Sequence, residues 1–397
     1  MTSLTATGLR ELTWSQIVAL IWGRWLMSLA FRIVYPLLAF LAAGFTIDLS
    51  AASLLITVQV AASLLSPLGG ALSDRFGDRV TLIWSSAIFT LGATICAFSN
   101  AFIPFMIGYA VIGLAIALGM PALQSYVSAR SRYERRARML GALELSWALS
   151  ALIGVPLATA IAERFGIGAV FGSLALAGAS MIGLYAILPV DPPALAPSHP
   201  AGSSTSAANT MAVLRQPTVV AALGFILIQL AAVELIFVSY AGWLSSVFGA
   251  TTTQLGLVFA LLGLVELIGS LTATLFTDRI GKRRAVLAGF ALVGIWLLLL
   301  PLSGSWPVFL AVLLAFDLCF EFAIVSAFPL FSGLSARGRG AILAMMTACI
   351  GGGRILGSLA GPWITATAGY TLNSMLAGGL VLLGVGLGVW MIREGRV

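Results

Sequence analysis

Eight charged side chains lie inside long apolar runs of this 397-residue chain: Arg24, Arg32, Glu144, Glu234, Glu266, Asp317, Glu321 and Arg354. A charge in hydrocarbon costs at least a few kcal/mol, so each one is a functional candidate. Asp317 and Glu321 are four residues apart and share one face of a helix. Two carboxylates that close, away from water, cannot comfortably both be ionised, so one would hold a proton that it can pass on. That is the chemistry of a proton carrier. The same acids could instead pair with Arg32 or Arg354 and hold two halves of a fold together, or touch a substrate directly. Glu266, Asp317, Glu321 and Arg354 fall about 15–25 Å into their runs at the helical rise, near the middle of a bilayer. Glu234 is expected toward the outer end of its run, within reach of water. Glu144, close to the start of its run, reads as a gate partner for Arg, and Arg24 as a similar gate residue.

The elements that must carry these groups are membrane helices. Hydrophobic residues make up 60% of the chain and charged residues 9%, and mean hydropathy is +1.06. No soluble domain of this length could hide so much apolar surface. A spanning helix needs roughly 20 apolar residues. Twelve runs qualify: 14–44, 51–72, 80–99, 101–128, 139–162, 167–189, 217–246, 253–277, 285–303, 306–334, 340–368 and 370–392. Backbone groups in lipid must be satisfied within the segment, so these are helices. Asp48 and Ser50 are placed to cap the second. Pro36, Pro121, Pro156, Pro329 and Pro362 offer bend points. No short apolar region with a cleavage site opens the chain, so the first span is expected to be retained.

Between the second and third runs lies Gly70-Ala71-Leu72-Ser73-Asp74-Arg75-Phe76-Gly77-Asp78-Arg79, and 204 positions later comes Thr274-Leu275-Phe276-Thr277-Asp278-Arg279-Ile280-Gly281-Lys282-Arg283. Asp, Arg and Gly recur in order and spacing, so the chain is two related halves. The decapeptide resembles the signature between helices 2 and 3 of the major facilitator superfamily: Gly, three residues, Asp, Arg or Lys, any residue, Gly, then basic residues. The first copy fits at Gly70, Asp74, Arg75, Gly77 and Arg79, with Asp78 where a basic residue is usual. The second has Thr274 for the leading Gly and keeps Asp278, Arg279 and Gly281. The resemblance implies an all-α membrane protein whose twelve transmembrane helices form two six-helix bundles around a central cavity. It also implies that Asp74 and Asp278 are conformational latches at the inner face. In that family helices 1, 4, 7 and 10 line the cavity and 3, 6, 9 and 12 face lipid; none of the eight charges lies in the latter four.

The chain resembles the drug and metabolite exporters of the family, with departures. The Arg that many exporters carry in span four is missing, because Gly108 stands five residues before Gly113. The Gly-xxx-Gly-Pro signature expected in span five is altered, with Ser150 for the first Gly and Val155 inserted before Pro156. A cleaner copy is Gly357, Gly361 and Pro362 in span eleven. Gly108, Gly113 and Gly119 suit close helix packing.

The net charge of +7 invites a nucleic-acid reading, but 17 of the 21 basic residues fall in loops and tails on one side. That is the positive-inside rule at work, and it places both termini in the cytoplasm of a multi-pass protein; the membrane is expected to be a bacterial inner (plasma) membrane. Residues 190–216 are rich in Pro and Ser and form a cytoplasmic linker between bundles at 1–189 and 217–397. Cys96, Cys319 and Cys349 lie within spans without metal or disulfide spacing, and His199 sits in the linker. No nucleophile–base pair, phosphate loop or metal-ligand set supports an enzyme, a cofactor or a metal. The leading reading is a monomeric secondary transporter that moves a small-molecule substrate by alternating access within the lipid bilayer. The expected activity is proton-coupled efflux of a small, largely apolar compound. One alternative carries an anionic metabolite or lipid on Arg24, Arg32 and Arg354; another is a non-transporting receptor or assembly factor that kept the fold.

Overall fold

The computed structural model describes residues 12–130, 143, 146–190, 216–334 and 339–391; the side chains of Asp74, Ser128 and a few residues near 340 lie outside that description. Among the described residues the chain is helical and has no strand. In order the helices are α1 (Trp14–Arg32), α2 (Val34–Gly44), α3 (Leu49–Ser63), α4 (Ser66–Phe76), α5 (Asp78–Phe98), α6 (Phe102–Ala129) and α7 (Val155–Phe165). They continue as α8 (Ile167–Ala186), α9 (Pro217–Phe237), α10 (Tyr240–Phe248), α11 (Thr252–Ile280), α12 (Lys282–Leu299), α13 (Trp306–Ser332) and α14 (Arg339–Met391).

Among the described residues ten helices are long and apolar enough to cross a membrane, and α1 with α2, bent by 50°, makes an eleventh if the pair is one broken span. The stretch Met345–Met391 counts once among the ten, yet its 47 residues would run about 70 Å as one helix, twice a bilayer's apolar depth. It turns at Gly369, whose φ of 81° is open only to glycine at low cost. Twelve crossings result, as the hydropathy pattern requires.

The first predicted span is broken rather than continuous. Pro36 has no N–H to give the carbonyl of Arg32, and the helix bends just before it. Pro121, Pro329 and Pro362 sit inside helices that continue. Asp48 caps α3, its Oδ1 accepting from the amide of Ala51 at 2.6 Å. Ahead of α7 the residue inserted at Val155 is absorbed as a π turn, Ser150–Gly154, in which the Val155 amide donates to the Ser150 carbonyl. One extra residue in a helix gives this wider turn.

The chain divides into two compact units, one built mainly from Met1–Ile47 and Leu54–Ser198 with Thr252–Ala260, the other from Asp48–Ser53, His199–Thr251 and Leu261–Val397. In the first unit α5 packs along α6 and α8, and α1 leans on α8 and α6. Gly92 and Gly108 bring α5 against α6, since a Cβ on Gly92 would lie 2.7 Å from the Gly108 carbonyl. Gly119 admits Met27, whose Cε would be 2.7 Å from an added Cβ. In the second unit α9 packs along α14, while α12 packs on α13 and α14. A ladder of Gly353, Gly357 and Gly361 presses α14 onto α9 so closely that Cβ atoms there would lie 2.6, 2.5 and 2.8 Å from Leu227 O, Ala231 O and Val238 Cγ1. Small residues at four-residue spacing are the usual device for such contact in lipid, where packing has to replace the hydrophobic effect.

Candidate functional site: buried charges on a duplicated scaffold

Both hairpins are built alike. α4 ends at Phe76, Gly77 takes φ 89°, and Asp78 begins α5; α11 ends at Ile280, Gly281 takes φ 94°, and Lys282 begins α12. A turn this tight needs the left-handed φ that glycine alone takes freely. The basic residue two positions on performs one task in both copies. Arg79 donates from Nε to the Tyr185 carbonyl at 3.3 Å and from Nη2 to the Ala186 carbonyl. Arg283 donates from Nη2 to the Val389 carbonyl at 2.5 Å. Each arginine thus satisfies the exposed carbonyls at the C-terminal end of the last helix of its half, the negative end of the helix dipole. Arg79 and Arg283 are 204 residues apart, and so are Tyr185 and Val389. The duplication seen in sequence is therefore a duplicated set of contacts.

The latch residues differ in setting. Arg75, Asp278 and Arg279 are exposed. Gly70 has open space around it, and Gly69 is the glycine held against α6, where a Cβ would lie 2.6 Å from the Leu118 carbonyl. The Asp74 side chain lies outside the described ones. Asp78, noted in the sequence only as a departure from the pattern, joins the hairpin to α6. Its Oδ1 accepts from Ser73 Oγ at 2.6 Å and its Oδ2 from Ser125 Oγ at 2.9 Å. It also stands at the first position of α5, where a negative charge meets the positive end of the helix.

In the first unit Arg24 and Arg32 are both buried. Arg24 Nη1 donates to Ser28 Oγ at 2.7 Å. The two guanidinium carbons lie 5.5 and 4.6 Å from the centroid of the Trp147 ring, and Arg32 is also 5.0 Å from that of Phe259. Trp147 thus anchors two cations through its π face. Glu144 lies outside the described residues.

The second unit holds Glu234, Glu266, Asp317 and Glu321. Glu234, expected near water, is 1% exposed and pairs with Arg354, Nε to Oε2 at 3.0 Å. The outer-end expectation fails because the Gly353–Gly357–Gly361 ladder draws α14 over that face of α9: a Cβ on Gly357 would lie 2.6 Å from Glu234 Cβ. Pairing of the acids with Arg32 or Arg354 was one of the readings left open, and Arg354 does form an ion pair with Glu234. Glu321 Oε1 accepts from Ser270 Oγ at 2.6 Å, which ties α13 to α11. One turn and a half further along α13, Ser326 shares a 2.6 Å hydrogen bond with Thr277. Asp317 is fully buried near the middle of α13, and Glu266, four residues before Ser270 on α11, is partly buried. Among the described residues no group of three His, Cys, Asp or Glu is arranged to hold a metal ion.

Sequence reasoning missed Asp78, Trp147 and Asn373 as working residues. Asn373 sits fully buried in the second half of α14 and donates to the Leu235 carbonyl at 2.9 Å. The signal for it was available: an amide inside an apolar run carries the same question as a charge.

The family model described as Major Facilitator Superfamily matches residues 20–246 and again 226–396. Among relatives, the MFS-type transporter YwfA of Bacillus subtilis (strain 168) is 33% identical over 134 residues, 32% of each chain. The multidrug resistance protein fnx1 of Schizosaccharomyces pombe is 28% identical over 154 residues, 38% of this chain and 29% of that one. The matches thus span about a third of each relative's length. Among solved structures, a D-xylose–proton symporter superposes with a TM-score of 0.77 over 96% of this chain and 98% of the other, at 16% identity.

Proposed function

Because the chain belongs to the major facilitator superfamily of secondary transporters, we propose that it exports a small, largely apolar compound in exchange for protons. The observation that carries this reading is the acid group of the second unit. Asp317 is wholly buried in mid-span, Glu321 lies one turn on and accepts from Ser270, and Glu266 is on the same helix as that serine. A carboxyl kept in hydrocarbon is expensive unless its charge is used, and proton exchange is the use that fits a mid-span acid. The name of the fnx1 relative, a multidrug resistance protein, supports export. In this reading the protein is a monomer in the inner membrane of a bacterium, with both termini in the cytoplasm and the bundles joined through residues 190–216. Asp74 and Asp278 act as inner-face latches, and Arg24, Arg32 and Glu144 as gate charges.

The test is transport in inverted vesicles bearing the purified chain, with ethidium, chloramphenicol and benzoate as probes, with and without a proton gradient. Proton-driven uptake of ethidium or chloramphenicol is expected. Asp317→Asn and Glu321→Gln should each abolish concentrative uptake yet leave counterflow, which needs no net proton movement. Concentrative uptake at normal rates in both variants would remove these acids from the mechanism. A second reading is favoured by the placing of two buried arginines against Trp147: an anionic substrate held in the first unit. Proton-linked movement of benzoate alone, lost in Arg32→Gln, would select it. Movement of no probe under any gradient would point to a receptor or assembly factor.

A further inference from the structure

The first helix of each unit is interrupted, and under the 204-residue repeat the interruptions fall at nearly the same place. α1 gives way to α2 at Ile33, and α9 gives way to α10 at Val238 and Ser239. Position 33 of the first half corresponds to 237 of the second. An interrupted helix exposes carbonyls that in lipid must find other donors.

Both interruptions solve this in one way. In the first unit the carbonyl of Ala30, in the last turn of α1, accepts from Tyr109 OH at 2.9 Å and from Gln59 Nε2 at 3.3 Å. In the second, the Ser239 amide has slipped to the Ile236 carbonyl at 3.0 Å, so that Leu235 O is released from the helical ladder. Leu235 O is taken instead by Ser239 Oγ at 2.6 Å and Asn373 Nδ2 at 2.9 Å. Asn373 Nδ2 also reaches Ser239 Oγ at 3.1 Å. In each unit, then, one hydroxyl and one side-chain amide replace a helical N–H. The receiving carbonyls, Ala30 and Leu235, are one residue apart under the repeat.

The amides are only half used. Gln59 Oε1 and Asn373 Oδ1 are buried and accept no hydrogen bond among the described residues. A buried acceptor left unmade is costly, so the interrupted form carries a defect that the amide's own N–H bonds partly offset. A continuous helix would return the Ser239 amide to Leu235 O, whose two lone pairs are already taken, and so displace one of its two side-chain donors, Ser239 Oγ or Asn373 Nδ2. Each form thus satisfies one group at the expense of another. That is the condition for two forms of similar stability, and a helix that must change during transport needs it.

We propose that Asn373, together with the Tyr109–Gln59 pair, is a positioning device for the transport cycle. These side chains hold the first helix of each unit in its interrupted form and release it when it becomes continuous. The proposal rests on the chain's being a transporter, and not on its being proton-coupled.

Asn373→Leu removes both the donor and the unsatisfied acceptor at nearly constant volume, and Tyr109→Phe removes one hydroxyl. Hydrogen–deuterium exchange by mass spectrometry on the purified full chain needs no substrate and reads the interruption directly. In Asn373→Leu the amides of residues 238–240 should exchange at least fivefold more slowly, because Ser239 regains its helical acceptor. The rest of the chain and the Tm should be unchanged. Counterflow of whichever of ethidium, chloramphenicol and benzoate the wild type carries should fall about tenfold with KM unaltered, and Asn373→Gln should recover part of it. Tyr109→Phe should slow exchange at residues 34–35 in the same way, which keeps the test open if Asn373→Leu does not fold. Unchanged or faster exchange at both interruptions would overturn the proposal. So would slower exchange with counterflow at the wild-type rate, or faster exchange across the whole chain with a lowered Tm, which would make these residues packing groups only. A wild type that carries none of the three probes would defeat the export reading while the exchange measurement still decides whether Asn373 and the Tyr109–Gln59 pair hold the interruptions.

Discussion

Replacing Arg354 by Gln leaves the Glu234 carboxylate 1% exposed against the glycine ladder of α14, with its 3.0 Å partner gone. Breaking a buried ion pair from one side costs about 3–5 kcal/mol, most of it the stranded charge. The reverse change is milder. Glu234→Gln strands Arg354, which is 25% exposed and carries a flexible stem that can lift its guanidinium toward water, so about 1–2 kcal/mol is expected. The double variant Glu234→Gln/Arg354→Gln strands nothing and should lie within about 1 kcal/mol of wild type. The order of cost is therefore Arg354→Gln, then Glu234→Gln, then the double. A kcal/mol moves Tm by roughly 2–4 °C for a domain of 150–250 residues, so Arg354→Gln should lose at least about 6 °C in detergent and the double variant a few degrees at most. Thermal unfolding of the four proteins, followed by tryptophan fluorescence at one scan rate, reads the series. Glu234→Gln costing as much as Arg354→Gln would refute the burial argument. A double variant as unstable as the two singles combined would show that the residues act independently.

Gly357→Ala places a Cβ 2.5 Å from the Ala231 carbonyl, a backbone atom that cannot step aside, and should sharply reduce folded yield by size-exclusion chromatography, whereas Gly352→Ala, with its nearest neighbour at 3.9 Å, should be neutral. Asp78→Asn weakens acceptance from Ser73 and Ser125 and the favourable charge at the start of α5; it should cost about 1–2 kcal/mol, seen as a lower Tm, and Ser125→Ala should cost less. Asp74→Asn should insert and fold but lose most transport in vesicles, with Asp278→Asn the milder because its copy already has Thr274 for Gly; an equal or larger loss at Asp278 would reverse that ranking.

The helices were legible because lipid permits little else: each apolar run had to be a helix, and the runs ended where charge or a glycine turn began. The boundary between the runs 340–368 and 370–392 and the cap at Asp48 followed from local residue chemistry. Less could be read where one residue's place depends on a neighbouring helix. Glu234 seemed near water by counting along its own span, and only α14, closing over it through three glycines, makes it a buried partner of Arg354. Val155 looked like a damaged signature; the π turn that absorbs it is a backbone response that spacing alone does not specify. Asp78 looked like a defect in a basic motif because its acceptor role depends on Ser125, 47 residues away on α6.

The repeat also separates what holds the fold from what could do the work. Shifting the charged residues of the second half back by 204 positions lands Glu266, Asp317 and Glu321 on Ala62, Gly113 and Ala117. Shifting Arg24 and Arg32 forward lands both on isoleucine, Ile228 and Ile236. The turn glycines Gly77 and Gly281 and the capping arginines Arg79 and Arg283 are kept in both halves, and the buried charges are not. In the first unit a Cβ on Gly113 would lie 3.0 Å from Ala62 Cβ. Under the repeat, Asp317 and Glu266 take the positions on α13 and α11 that Gly113 and Ala62 hold in the first half. Where the first half packs a glycine on an alanine, the second carries an aspartate and a glutamate at the corresponding positions. A scaffold that needed only packing would have kept the small pair twice. The acids stand where the duplicated fold makes room without needing them, which is why the transport chemistry is sought there.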